Sequence, residues 1–228
     1  KEAVVSRFQP RIVAGSLFAT VVVAVAAAAA WPIYQSWSFL LMAGVAVTVA
    51  AVTAAVAWRR RWSAWLTAGV LGAAFLVLGV PLAVPSRLGS PMDVLRGFVD
   101  LGAGAVVGWK DLLTVDLPLG SYRNLLVPAF LVFLVGTCVL LLLAWRRDRR
   151  AYGAAVVAIA MVSFGLFFGR TEVSDPLAIG PVTLYAPVET ALGLAGMLSC
   201  LLWLAWRTHD ERVRSLLSAA ASSGVRVS

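Results

Sequence analysis

Leu125–Arg150 reads LLVPAFLVFLVGTCVLLLLAWRRDRR. No charge falls between Leu125 and Trp145, and four arginines around Asp148 follow at once. A helix rises about 1.5 Å per residue, so roughly 20 apolar residues cross a hydrocarbon core about 30 Å thick. The apolar and polar residues do not alternate as they would in a transmembrane barrel. A helix satisfies its backbone hydrogen bonds internally, so it is the form left for such a segment in lipid.

The same pattern recurs along the chain. Apolar stretches run from Ile12 to Ala30, Phe39 to Trp58, Trp65 to Val84, Leu125 to Trp145, Tyr152 to Phe168 and Thr190 to Trp206. The fifth is the shortest, but flanking arginines can extend their charged ends toward the headgroups. The 228 residues are 61% hydrophobic and 13% charged, with a mean hydropathy of +0.90, which excludes an ordinary soluble domain. The expected fold is an all-α polytopic membrane protein with six transmembrane helices and an external amphipathic helical segment between the third and fourth. Residues 1–206 form the membrane domain and 207–228 a cytoplasmic tail, with external loops at 85–124 and 169–189. Lys1–Arg11 is basic like the start of a signal peptide, but the following run is long and lacks a cleavage site, so the first span is expected to be retained. The chain reads as part of a longer polypeptide.

Orientation follows from the basic residues. Of the 19 lysines and arginines, 14 lie in the N-terminal segment, at 59–61, at 146–150 and in the C-terminal tail, while the alternate segments hold five against seven acids. The positive-inside rule puts both termini in the cytoplasm. Trp31, Trp37, Trp58, Trp62, Trp65, Trp145, Trp203 and Trp206 sit near span ends, as interfacial anchors would. With a net charge of +8 distributed in this way, the basic loops can attract anionic lipid headgroups but topology alone is enough to explain them, and no nucleic-acid partner is expected. No Asp, Glu, Lys, Arg or His lies in the middle of a span, which weighs against a pump or ion-coupled transporter. Small residues at 26–30, 44–48, 165–169 and 193–196 predict close helix packing. Cys138 and Cys200, inside apolar runs, are expected to pack as small apolar groups, not to bind metal or form a disulfide.

In the first external segment Val94, Phe98, Leu101, Ala105 and Leu112 recur at helical spacing, opposite Asp93, Arg96, Asp100, Lys110 and Asp111. This predicts an amphipathic surface helix, bent or broken by Gly102, Gly104 and Gly108. Trp109, Leu112 and Leu113 are expected to face inward. Phe98, Trp109, Lys110, Asp111, Leu112, Leu113 and Asp116 form the candidate external interaction surface. GAGAVVG at 102–108 lacks the strand and spacing of a nucleotide loop, and Asp111 and Asp116 have no nearby nucleophile or metal ligand. No catalytic, metal or cofactor residues are expected. In the second external segment Pro176, Pro181 and Pro187 exclude a continuous helix and favour a short extended arm, with Glu189 opening the sixth span. His209, in RTHDER, reads as a solvated cytoplasmic residue.

The order of these features, and above all Gly108, Trp109, Leu112, Leu113, Thr114 and Pro118 followed by a span and an arginine cluster, resembles the N-terminal membrane domain of actinobacterial transglutaminase-like membrane proteins. The resemblance covers essentially the whole chain. It implies a further span carrying an extracytoplasmic papain-like Cys-His-Asp domain, and partnership with a MoxR-type AAA+ ATPase and a von Willebrand-like protein. The family's nucleophilic cysteine has no counterpart in Cys138 or Cys200. The expected role is therefore a non-catalytic membrane-anchoring and assembly domain, with any enzymatic activity in a missing C-terminal domain. The alternatives are an accessory subunit of a larger membrane complex, or a lipid or small-molecule handler with a groove between the external helix and spans three and four.

Overall fold

A computed structural model describes residues 9–83, 91–112, 125–168, 174–179 and 182–222. Six helices are long and apolar enough to cross a membrane: Pro10–Tyr34, Trp37–Arg60, Ala64–Ala83, Leu126–Ala144, Arg149–Phe168 and Pro187–Ala219. The chain is an all-α, multi-pass membrane protein. Its elements are α1 (Gln9–Tyr34), α2 (Trp37–Arg60), α3 (Ala64–Ala83), α4 (Pro91–Val106), α5 (Gly108–Asp111), α6 (Leu126–Ala144), α7 (Gly153–Phe168) and α8 (Pro187–Ser222). A small antiparallel hairpin, β1 (Leu177–Ile179) with β2 (Val182–Leu184), precedes α8 and pairs Leu177 with Leu184. It matches the extended arm that the prolines imposed.

Local chemistry sets the turns. Ser36 caps α2 by accepting a hydrogen bond from the Phe39 amide at 3.3 Å. At the other end Arg61 takes a left-handed conformation with φ 53°, and its amide returns to the Ala57 carbonyl. Arg59 and Arg60 place positive charge on the last turn, where the helix dipole favours it. Ser63 then accepts from the Leu66 amide at 3.2 Å and opens α3. The second and third spans thus form a tight hairpin at the arginine-rich end. The fifth span gains length from a 3-10 turn, Arg149–Tyr152, that runs directly into α7.

Packing is centred on α6. It touches α1, α2, α3, α4, α5 and α7, and 61% of its most apolar stretch is buried, against 17% for α8. On one side α1, α7 and α8 pack together, and on the other α2 packs on α3 and α3 on α4. Consecutive α1 and α2 make little mutual contact, so α6 joins two groups of helices. In its middle, Val132–Gly136 widens to a π turn, a feature common near functional sites.

Small residues do the close packing that the sequence called for. A Cβ on Gly165 would lie 2.6 Å from the Ala29 backbone, so α1 and α7 meet at van der Waals contact where the alanine run passes. Gly196 faces Val162, where a Cβ would sit at 3.3 Å. Gly44, by contrast, opens on nothing within 4 Å. Cys138 and Cys200 are buried free thiols, and Cys200 lies 4.0 Å from the Ala155 carbonyl.

The sixth span runs on without a break into the 207–228 segment, because α8 continues as one helix to Ser222. At about 1.5 Å per residue, its 36 residues exceed the roughly 30 Å of hydrocarbon by several turns. The tryptophans also divide. Trp37 and Trp65 are 83% and 88% exposed, as anchors should be, but Trp145 and Trp203 are buried packing residues.

Candidate functional site

The arginine-rich end of the bundle holds the densest polar chemistry among the described residues. Trp203, Arg207 and Glu211 follow one another at four-residue steps, so they share a face of α8. That face meets the turn between α6 and α7. Arg207 is only 1% exposed and donates to the Arg146 carbonyl at 2.9 Å and the Asp148 carbonyl at 3.1 Å. The Asp148 carbonyl also accepts from the Ala151 amide at 3.1 Å, while the Arg146 carbonyl lies just past the end of α6, so the guanidinium closes that end as a cap from another helix. Arg207 also pairs with Glu211 at 3.0 Å, and its guanidinium carbon stands 5.4 Å from the Tyr152 ring centre and 5.8 Å from that of Trp203. Tyr152 donates its hydroxyl to the second Glu211 oxygen at 2.9 Å.

Arg11, at the start of α1, is buried in the same region and also donates to the Arg146 carbonyl. Its Nε and Nη1, and Nε of Arg207, have no protein acceptor among the described residues. Arg207, Arg214, Arg147 and Asp210 all act electrostatically on Arg11. Next to it, Trp145 donates from its indole to Ser16 Oγ at 3.2 Å and lies over Gly15, where a Cβ would come within 3.0 Å of the ring. Glycine therefore lets α1 approach the end of α6. Phe18 stacks on Trp203 at 4.8 Å, so α1, α6 and α8 are locked by both rings and cations.

On the other side of α6 is a half-open groove of about 1080 Å³. It exists because α3 packs against Leu126–Gly136 of α6 and diverges from Thr137–Ala144. Phe75 stacks on Phe130 at 5.7 Å in the half where the helices touch. Leu71, Cys138, Val139 and Leu142 line the apolar part of the groove, with Trp58 and Trp62 nearer the mouth. Arg59, Arg61, Arg146 and Arg147 form its rim, together with a single acid, Asp148. The groove lies at the opposite end from the one expected beside the external helix. There Leu101 fills the space against Gly79, with both methyl carbons 2.7 Å from where a glycine Cβ would stand.

The sequence-predicted surface is brought together only in part. α4 and α5 are two helices, as the glycines implied, but the break falls at Val107. Leu101 and Leu112 are buried, and Trp109 packs inward, edge-on to Phe164 at 5.8 Å and against Phe168 at 6.4 Å. Its indole donates to the Ala105 carbonyl at 2.9 Å. Phe98, a member of the candidate external interaction surface, is 40% exposed, and Leu95, Val99 and Val106 are more so. The buried stripe is instead Gly97, Leu101, Gly104 and Gly108. Of the glycines read as helix breakers, Gly104 and Gly108 lie on this buried stripe while Gly102 is exposed, and α4 packs against α3 and α6. Lys110 is exposed and Asp111 ends α5, while Leu113 and Asp116 lie outside the described residues.

Near the hairpin, Glu189 stands in the first turn of α8, and Ser174 donates to it through its hydroxyl at 2.6 Å and its amide at 3.3 Å. The expected charge at a helix N-terminus thus also ties down the arm. Comparison with family models, curated proteins and solved structures finds no match for this chain. The residues that sequence reading missed are Arg11 and Arg207. Their one legible signal was the Trp203, Arg207, Glu211 spacing, which marks a shared face without saying that the face is buried.

Proposed function

We propose that this chain is a non-catalytic membrane-anchoring and assembly domain in a bacterial plasma membrane, with both termini cytoplasmic. The observation that carries the proposal is α8. It runs unbroken from the hairpin to Ser222, and Arg207 clamps it to the α6–α7 turn part-way along. Such an exit fixes the direction of whatever α8 meets beyond the bundle. On the opposite face Trp109 and Leu101 hold α4 and α5 against the spans, so a partner there meets a fixed surface. The arginine distribution supports the orientation.

The parent protein in this reading is a transglutaminase-like cell-envelope protein whose papain-like domain lies outside the cytoplasm, with a MoxR-type ATPase and a von Willebrand-like protein as partners. It rests on the sequence resemblance carried by Gly108, Trp109, Leu112, Leu113, Thr114 and Pro118. The intact mass of the native protein tests this. A mass well above 24.1 kDa with a papain-like sequence following the six spans is expected, and a native mass near 24.1 kDa sinks it. Orientation has its own test. A cysteine at Thr183 should react with a membrane-impermeant maleimide in intact cells, and one at Ser215 only after permeabilisation; the reverse pattern inverts the topology.

One observation favours a second reading, an accessory subunit. Leu194, Met197, Leu198, Leu201 and Leu202 make an exposed apolar strip on α8, the least buried span. Site-specific crosslinking from Leu198 to another membrane protein would favour that reading, and crosslinking to lipid alone would remove it.

A further inference from the structure

We infer that the groove between α3 and α6 is a binding site for one anionic glycerophospholipid of the surrounding bilayer. The inference stands on the membrane fold and does not depend on the transglutaminase-like reading. Three observations carry it.

The first is shape. The groove holds about 1080 Å³ between helices that touch at one end and part toward the other. Ligand pockets commonly enclose about 300–1,000 Å³, so this space is large enough for a ligand of substantial size. It opens where α2 and α6 end and α3 begins, at the arginine-rich end of the spans.

The second is the order of its lining. Leu71, Val139 and Leu142 offer only hydrocarbon, Trp58 and Trp62 offer rings with a polar edge, and arginines form the mouth. Acyl chain, glycerol ester and phosphate follow the same order in a phospholipid. Tryptophan at ester depth and arginine at phosphate depth are the placements that bilayers favour.

The third is charge. Four arginines against one aspartate give the rim a clear positive excess. The pair Arg146–Asp148 at 3.4 Å occupies that acid, and the side chains of Arg59 and Arg61 are exposed at the mouth. A guanidinium binds phosphate oxygens through two parallel N–H donors, which a zwitterionic neighbour's choline would partly oppose. Topology alone requires arginines on this side; it does not require an apolar slot beneath them.

Native mass spectrometry of the full chain in neutral detergent tests the site, with dioleoylphosphatidylglycerol and dioleoylphosphatidylcholine added at equal concentration. One phosphatidylglycerol per chain should be retained about tenfold over phosphatidylcholine, given an electrostatic gain of about fivefold per basic residue near the headgroup. Arg61→Ala should lower retention about fivefold by the same reasoning. Ala68→Phe, which narrows the slot from the exposed side of α3, should remove the adduct while leaving the thermal transition unchanged. Arg212→Ala, on α8 and away from the groove, should have no effect. Equal retention of the two lipids, an equal loss in Arg212→Ala, or an adduct that survives Ala68→Phe would each overturn the proposal. So would a dimer without lipid, because a second copy would then fill the groove.

Discussion

The two ends of this bundle are fastened by different forces. At the arginine-rich end, Arg207 is almost wholly buried and bonds to two backbone carbonyls, with Tyr152, Trp203 and Glu211 around it. At the other end, α4 is held by the absence of side chains. Gly79 receives Leu101, and the glycine stripe of α4 faces the spans. Lipid tails are as apolar as leucine, so the hydrophobic effect does little to press spans together. What remains is hydrogen bonding by groups that cannot be left unpaired, and close packing. Each end uses one of these, and they should fail differently.

Removing the cation should give the largest effect. Arg207→Met keeps much of the bulk but takes the donors from the Arg146 and Asp148 carbonyls and leaves Glu211 with Tyr152 alone. Hydrogen bonds from charged groups contribute about 1.5–3 kcal/mol each, so a loss of about 3 kcal/mol is expected. In a thermal scan of the detergent-solubilised protein the Tm should fall by on the order of 10 °C. Arg207→Lys should restore little, because an ammonium lacks the planar fork that reaches two carbonyls. An unchanged Tm in Arg207→Met would mean that Arg11 alone holds the turn, and the polar fastening would be lost as an explanation.

Leu101→Ala probes the opposite end. It deletes a fully buried side chain over Gly79 and should cost about 2–3 kcal/mol in lost packing. The loss should be local. Limited proteolysis between α3 and α6 should quicken, and Trp109 emission should shift red as its ring leaves Phe164, while the main thermal transition moves little. A fall in Tm as large as that of Arg207→Met would show that α4 is integral to the bundle and not docked on it.

The difference between the ends also explains what the sequence revealed. Span positions were legible because each one is a long uncharged run, and in lipid that run must be helical. Ser36 and Glu189 act at helix ends as their residue types suggest, whereas Arg61 holds a left-handed cap that ordinarily favours glycine. On α4 the periodicity picks out an apolar side, of which Leu101 is buried and Phe98 is 40% exposed, but it cannot say that Gly97 and Gly104 complete the buried stripe. At a membrane interface Leu95, Val99 and Val106 can face lipid, and the bundle receives the glycines. The burial of Arg207 was not legible for a related reason. Arginine after a span ordinarily marks the interface, and only the tertiary approach of the α6–α7 turn buries it. The groove was not legible at all, because it depends on the angle at which α3 leaves α6.

The smallest expected effect sharpens the reading of α4 most directly. Gly102 and Gly79 are both helical glycines, yet a Cβ on Gly102 meets nothing within 4 Å, whereas one on Gly79 meets Leu101 at 2.7 Å. Alanine in a helix interior gains up to about 1 kcal/mol over glycine when no contact opposes it. Gly102→Ala should therefore slow proteolysis between α3 and α6 slightly. Gly79→Ala should speed it, because crowding a packed site costs about 1–3 kcal/mol and exceeds that gain. The pair separates helix propensity from packing on the same pair of contacting helices. If Gly102→Ala also loosens α4 in native membranes but not in detergent, the outer face of α4 is covered there. The exposed Phe98 and Val99 would then belong to an interface and not to a lipid-facing side.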